Sequence, residues 1–106
     1  LEDMERIGMA EHVTLMMFSE FGRRVGENAN LGTDHGTANT MFLAGKPVIG
    51  GHYGKPPVLG TLDETDNLIH TTDFRRVYAT AIESWLRSSN SIDILKGNFK
   101  PFPIFS

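Results

Sequence analysis

An amphipathic pattern in the last third of the chain constrains the fold most strongly. Apolar side chains recur at intervals of three and four residues, which is the spacing of one helix face: Phe74, Val77, Tyr78, Ala81, Ile82, Trp85 and Leu86. Thr72 stands at the N-cap position, Asp73 suits the positive end of the helix, and Arg87 suits its last turn. The pattern predicts a helix over 74–86 that packs one broad apolar face, aromatic residues included, on a sheet.

Two short apolar runs predict the strands of that sheet. Residues 13–18 (VTLMMF) form an apolar run with a β-branched start, which is typical of a strand buried on both faces in a parallel sheet. Residues 41–44 (MFLA) form a second run, which ends at a glycine. Between the runs, the polar and glycine-rich segment 19–36 is predicted to be a long loop.

The other segments have weaker patterns. Residues 1–7 match the interior of an amphipathic helix, and 48–54 match a strand or hairpin edge broken by glycines. Residues 91–96 indicate a short helical turn, and 99–105 an extended apolar segment lying along a groove. The order helix, strand, loop, strand, helix predicts the α/β fold class, in which ligands gather beyond the carboxyl ends of strands.

The composition limits the classes of function. A chain of 106 residues with 40% apolar content fills one modest core. Its net charge of -3 gives no basic face, so we expect no nucleic-acid partner. The chain has no cysteine, and no apolar run approaches the roughly 20 residues of a membrane span. Because the first helix lacks a cap residue and the first residue is not Met, we expect the chain to be the carboxyl-terminal piece of a longer protein. Residues 1–106 are then a single domain or a fragment of a larger one.

The adjacent pair Asp34 and His35, in the segment GTDHGTA, is the first candidate for chemistry. A carboxylate oxygen and an imidazole nitrogen form a donor pair that zinc and manganese both accept. The flanking glycines let the backbone approach a ligand closely. Zinc usually has at least three protein ligands, so other residues would have to complete the site. The alternative is an Asx turn in which the aspartate caps its own backbone beside a surface histidine.

The segment FSEFGRR holds the remaining candidates. Arg23 could hold a substrate oxyanion with its planar guanidinium, or be a solvated surface charge. Glu20 could be a ligand or a general base, but we favour an ion pair with Arg23 or Arg24. Ser19 lacks the GxSxG surroundings of a nucleophile elbow, so it is assigned only to a possible site loop with Glu20. No catalytic residue is assigned.

The other histidines are weaker candidates for ligands. His52 and His70 each lie near a turn, where an exposed or hydrogen-bonded histidine is commoner than a metal ligand. His12 precedes the first predicted strand at its opposite end and is interpreted as structural.

Several segments, in this order, resemble the carboxyl-terminal part of domain of unknown function 1501, a family related to the alkaline phosphatase and sulfatase superfamily: FSEFGRR, GTDHGTA, GGHYG and TTDFRRVYATAIESWL. The resemblance covers the chain from about Val13 onward. It implies the final portion of an alkaline phosphatase-like layered sheet with flanking helices. In that superfamily an Asp-His pair after a late strand binds a metal ion, and Asp34 and His35 match that position.

The resemblance also implies a function. It implies a metal-dependent hydrolase of phosphate or sulfate esters, with zinc or manganese as cofactor. Export to the periplasm is implied as well, since many members carry a twin-arginine signal. Because the superfamily's nucleophile and most of its ligands lie in upstream segments, the isolated chain is expected to be inactive.

An alternative function stays open. Ser19 and Glu20 do not reproduce the superfamily's Asp and His at four-residue spacing. This departure favours a non-catalytic, exported binding or assembly module on the same scaffold. In either case a truncated α/β piece would expose sheet edges and apolar surface, so we expect self-association.

Overall fold

A computed structural model describes the whole chain, residues 1–106, as a mixed α/β structure of short elements. The elements are, in chain order, α1 (Glu2–Arg6), a 3₁₀ turn (Ala10–His12), β1 (Leu15–Met17), β2 (Gly22–Glu27), β3 (Thr33–Gly36), β4 (Phe42–Ala44), α2 (Arg75–Thr80), a π-helical turn (Ala81–Trp85) and α3 (Ser91–Leu95). None of the helices has both the length and the apolar composition to cross a membrane. The predicted α/β class is confirmed in this coarse form.

The backbone contacts divide the chain into two compact units. The hairpin unit comprises Leu15–Leu43 and Gly54–Thr71 and contains β1, β2 and β3. The helical unit comprises Leu1–Thr14, Ala44–Tyr53 and Thr72–Ser106 and contains all the helices. Along the chain, the boundary between the units falls within β4.

The strands form two separate sheets of two strands each, β1 with β4 and β2 with β3. Our prediction of a strand over 13–18 buried on both faces is therefore wrong. Leu15 and Met17 of β1 are 47% and 51% exposed, and Phe18 is 58% exposed. A strand is buried on both faces only where other layers cover both sides of its sheet. The small sheet of β1 and β4 leaves these side chains partly in solvent.

The segment 19–36, predicted to be a loop, instead contains an antiparallel hairpin of β2 and β3. The sequence pattern missed the hairpin because β2 (GRRVGE) has two glycines and no apolar alternation. Between the register pairs Arg23–His35 and Glu27–Thr33, the three residues 24–26 face one residue of β3, so the pairing contains a bulge.

The predicted helix over 74–86 is confirmed, as α2 and the π-helical turn run without a break. The predicted cap is wrong. Asp73, and not Thr72, accepts the backbone N–H of Arg75 at 2.9 Å. The same carboxylate forms an ion pair with the Arg75 guanidinium at 2.7 Å. Arg87 lies beyond the last turn, in a left-handed conformation with φ of 53°.

The buried side of this helix packs against the last residues of the chain, 98–106, which we call the tail. Thr80 is fully buried, and its hydroxyl accepts the backbone N–H of Phe102 at 2.8 Å. The Trp85 ring stacks on Phe105, with ring centres 5.4 Å apart. The extended course of the tail along the body agrees with the prediction, and the tail is the packing partner where we predicted a sheet.

The core of the helical unit is small. Its buried apolar side chains come from the 3₁₀ turn, α2 and the tail: Ala10, Val77, Ala79 and Ile104. Phe74 and Leu86, at the two ends of the predicted apolar stripe, are exposed. The helix therefore buries its middle turns, and the tail closes over them.

Candidate functional site

The hairpin of β2 and β3 brings three sequence-selected candidates together. Arg23 and His35 are opposite partners in the register, and Asp34 precedes His35 in β3. Opposite residues of antiparallel strands have Cβ atoms about 4.5–5.5 Å apart, so Arg23 and His35 share one face of the hairpin. Asp34 lies in a strand opposite the bulge, and not on the glycine-flanked loop that we predicted.

Two glycines let the strands meet at this point. Gly22 and Gly36 are partners in the register, and both are buried. A Cβ on Gly22 would lie 1.5 Å from the carbonyl oxygen of Ala38, and one on Gly36 would lie 2.8 Å from the carbonyl carbon of Arg23. No side chain fits at either place, so these glycines determine where Arg23 and His35 lie.

Asn28 organises the turn of the hairpin and holds Asp34. Its Nδ2 donates a hydrogen bond to Oδ1 of Asp34 at 3.0 Å. Its own Oδ1 accepts the backbone N–H groups of Asn30 and Gly32 at 3.0 and 3.1 Å. The Asx-type hydrogen bonding that was the alternative for Asp34 therefore belongs to Asn28. The second carboxylate oxygen of Asp34 is available to a ligand, since this side chain is exposed.

An aromatic stack positions His35. Its imidazole lies on the Phe21 ring, with ring centres 3.6 Å apart and planes 13° from parallel. The Arg23 guanidinium carbon lies 5.2 Å from the centre of the same phenyl ring. Its Nη1 donates to the carbonyl of Thr33 at 2.8 Å. Stacking occupies a face of the imidazole, so the ring nitrogens of His35, which lie in the ring plane, stay accessible. Arg23 also keeps N–H donors for a ligand.

The donor set fits part of a divalent metal site. An Asp oxygen and a His nitrogen suit zinc and manganese. Successive side chains of a regular strand point to opposite faces, and the extra residues of the bulge lie in β2 and not in β3, which carries Asp34 and His35. The chain has no group of three or more His, Cys, Asp or Glu residues that could hold a metal ion. By donor type, Asp34 and His35 match two ligands of such a site, and the other ligands would have to come from elsewhere.

The predicted site loop has other contacts. The Ser19 hydroxyl accepts the backbone N–H of Phe21 at 3.4 Å, and the Ser19 carbonyl accepts Nδ2 of Asn39 at 2.6 Å. Glu20 is exposed, and the ion pair that we predicted with Arg23 or Arg24 is absent. A charged pair at such a surface gains little, because water screens it and both side chains lose freedom.

Sequence reasoning missed Phe21 and Asn28. The run Asn28-Ala-Asn-Leu-Gly32 has the composition of a turn and could have indicated the hairpin. The stack of Phe21 on His35 depends on the register, which the sequence pattern did not reveal. His52 and His70 are exposed, as predicted.

One family shows a match to the chain. The sequence model of the family described as Protein of unknown function (DUF1501) matches residues 1–85. The match confirms the family that the motifs resemble, and it includes the first twelve residues, which the motif comparison left out. No curated protein and no solved structure matches the chain.

Proposed function

The chain belongs to the domain of unknown function 1501 family, and on that premise we propose that it forms part of the active site of a metal-dependent hydrolase of phosphate or sulfate esters. Asp34 and His35 are two ligands of a divalent ion, zinc or manganese, and Arg23 holds the ester oxygens. The observation that carries the proposal is the register of the hairpin, which places His35 opposite Arg23 and beside Asp34.

The chain's own residues orient these groups. The Thr33 carbonyl and the Phe21 ring hold the Arg23 guanidinium, whose planar fork matches the geometry of a phosphate or sulfate group. Asn28 orients the Asp34 carboxylate through its amide. A divalent ion at such a site supplies polarisation of the ester and charge stabilisation for the leaving alkoxide.

The wider architecture belongs to the same proposal. The chain is the final portion of an alkaline phosphatase-like layered domain, and the nucleophile and remaining ligands come from segments outside residues 1–106. The protein is exported, as the family resemblance implies. The exposed apolar side chains of β1, Leu15 and Met17, support self-association of the isolated chain through this sheet.

The test uses paramagnetic Mn²⁺ with the isotope-labelled chain, because line broadening in NMR spectra detects the millimolar binding expected of two ligands. We expect selective broadening of the amide signals around Asp34 and His35. Asp34→Asn keeps an acceptor for Asn28 but removes the charge, and His35→Phe keeps a stacking ring but removes both nitrogens. Each should abolish the broadening.

Two matched variants, Asp93→Asn and His52→Phe, serve as controls, because both of these residues are exposed. Broadening that survives both site variants, or that the control variants also abolish, would contradict the metal site. The highest Mn²⁺ concentration, about 10 mM, is roughly ten times a millimolar Kd. If no binding is detected at that concentration, the result would favour the non-catalytic module. Inorganic phosphate should shift the Arg23 and His35 signals, and Arg23→Gln should remove that shift.

A further inference from the structure

A cleft of about 220 Å³ lies in the helical unit, where the π-helical turn approaches the tail. Its lining comes from these two segments together with the 3₁₀ turn, Pro47 and Arg87. Pockets that hold drug-sized molecules enclose roughly 300–1,000 Å³, so this cleft suits a smaller ligand. Because every lining residue belongs to the helical unit, the cleft is independent of the proposed metal site in the hairpin unit.

Three residues that line the cleft carry hydrogen-bond donors with no acceptor in the chain. They are Ser84 with its hydroxyl, Trp85 with its indole N–H and Arg87 with its guanidinium. None of these groups forms a side-chain hydrogen bond or an ion pair with another residue. An indole and a guanidinium can donate but cannot accept. A ligand that satisfies this set must therefore bring acceptor oxygens.

The acceptors at the cleft are already engaged. The Glu11 carboxylate forms an ion pair with the Lys46 ammonium at 2.8 Å, which offsets its negative charge. The Pro47 carbonyl accepts both the backbone N–H and the hydroxyl of Ser106, at 3.1 and 3.2 Å. Occupied acceptors beside unoccupied donors favour an anionic ligand over a cationic one.

The position of Arg87 suits glycine better than arginine. Arg87 has a left-handed φ of 53°, and the N–H of the following residue, Ser88, donates to the carbonyl of Ile82 at 2.9 Å. This is the geometry of a helix C-terminal cap, in which the left-handed residue is usually glycine. A cation elsewhere in the last turn would complement the helix dipole equally well. Neither the cap nor the dipole requires an arginine here, and such local departures are expected at functional sites.

We propose that this cleft binds a small organic monocarboxylate, whose carboxylate lies on the Arg87 guanidinium and whose apolar body lies against the Trp85 and Phe105 pair. The planar fork of a guanidinium matches the two oxygens of a carboxylate. The two rings, whose centres are 5.4 Å apart, supply an apolar wall beside it. One unpaired cation beside aromatic rings suits an organic monoanion better than inorganic phosphate.

The chain offers a direct probe of the cleft, because Trp85 is its only tryptophan. The isotope-labelled chain therefore gives a single indole N–H signal in NMR spectra. Sodium benzoate is titrated near neutral pH at constant ionic strength, with benzamide as its uncharged counterpart and with acetate and inorganic phosphate for comparison. We expect benzoate to shift the indole signal saturably, with a Kd of about 1–10 mM. Benzamide should bind at least about tenfold more weakly, because it has no charge for the guanidinium.

The decisive variant is Arg87→Gly, which removes the guanidinium and supplies the residue that the cap favours. It should weaken benzoate binding at least about tenfold without lowering the midpoint of thermal unfolding. Lys96→Gly is the matched control. Lys96 is the left-handed cap residue of α3, with φ of 55°, and the Gly97 N–H donates to the Ile92 carbonyl at 3.2 Å. This control makes the same change of charge and of cap outside the cleft, so benzoate binding should be unchanged.

Further outcomes separate binding in the cleft from general attraction of anions. Arg87→Gln keeps a side chain of similar kind without the charge, and it should also weaken binding if Arg87→Gly lowers the stability of the fold. The proposal is overturned if benzamide binds as tightly as benzoate, if Lys96→Gly weakens binding as much as Arg87→Gly, or if both Arg87 variants keep the wild-type affinity. Tighter binding of phosphate or acetate than of benzoate, or no saturable shift up to about 50 mM benzoate, would overturn it as well.

Discussion

The hairpin unit and the helical unit are stabilised in different ways. In the hairpin unit, two buried glycines and the amide of one asparagine determine the register, and the candidate side chains around them are exposed. In the helical unit, a fully buried threonine and a few apolar side chains are covered by the tail. The contrast indicates that backbone geometry and polar contacts build the candidate site, whereas packing builds the other unit.

This division has a functional consequence. Charged and polar groups at an exposed surface cost little to assemble, because water still solvates them. Their interaction with a ligand strengthens only when other groups exclude that water. An exposed site such as that of Arg23, Asp34 and His35 is therefore suited to completion by further residues that exclude water. The helical unit, by contrast, is stabilised by apolar side chains that are already covered within the chain.

The largest effect is expected at Gly22. A Cβ there would overlap the Ala38 carbonyl oxygen, at 1.5 Å. Gly22→Ala should therefore destabilise the hairpin by about 4 kcal/mol or more, since the backbone must move. Gly26→Ala is the matched control in the same strand, because a Cβ there meets nothing within 4 Å. Hydrogen exchange of the β2 and β3 amides measures both.

Gly26→Ala should change local stability by less than about 1 kcal/mol, and in the stabilising direction if the flexibility of the unfolded chain dominates. If the two variants lost amide protection equally, the close approach of the Ala38 carbonyl oxygen to Gly22 would not be the reason that this position needs glycine. The contrast between the units would then lose its main support.

The next effect tests packing in the helical unit. Ile104 is 3% exposed, so Ile104→Ala should lower the free energy of unfolding by about 2–4 kcal/mol. Ile94→Ala, at a residue that is 58% exposed, should cost less than about 0.5 kcal/mol. Urea unfolding at low protein concentration compares them. If the two variants were equally stable, the tail would not be part of the core.

The sequence predicted the helical unit better than the candidate site. The spacing of Val77 and its neighbours reports burial directly, and so the helix was found from its apolar pattern. The pattern could not identify the tail as the partner, because the apolar spacing says which face is buried and not what covers it. Thr80, whose hydroxyl joins helix and tail, carries no such signal.

The residues of the candidate site were identified from their chemical types, and their position in the fold was not predicted. Asp34 and His35 stood out as adjacent metal-ligand types, yet they were placed on a loop. The pairing of Gly22 with Gly36 depends on atoms far apart in the sequence, and strand propensity is low in a segment with so many glycines. Sequence reasoning therefore identified residue types, while the register that brings Arg23 to His35 required the structure.

The smallest expected effect concerns Asp63, a second side chain of the hairpin unit that organises a loop through hydrogen bonds to its backbone. Its Oδ1 accepts the backbone N–H groups of Asn67 and Thr65, each at 2.9 Å, and also the Thr65 hydroxyl. These hydrogen bonds, that from the Asn67 backbone above all, hold the pKa of the Asp63 carboxyl below its ordinary value.

The sign of the resulting pH dependence follows from that shift. Because the pKa of Asp63 is lower in the folded chain than in the unfolded one, the ionised carboxylate stabilises the loop fully above about pH 4, the ordinary value for an aspartate. The stabilisation is lost as the pH falls through the folded pKa. An NMR titration of the Asn67 amide from about pH 6 to 2 should show this change. Asp63→Asn should abolish it, whereas Glu64→Gln, at the exposed neighbouring residue, should leave it in place. An Asn67 amide that titrates alike in both variants would show that the loop is organised by something other than this carboxylate.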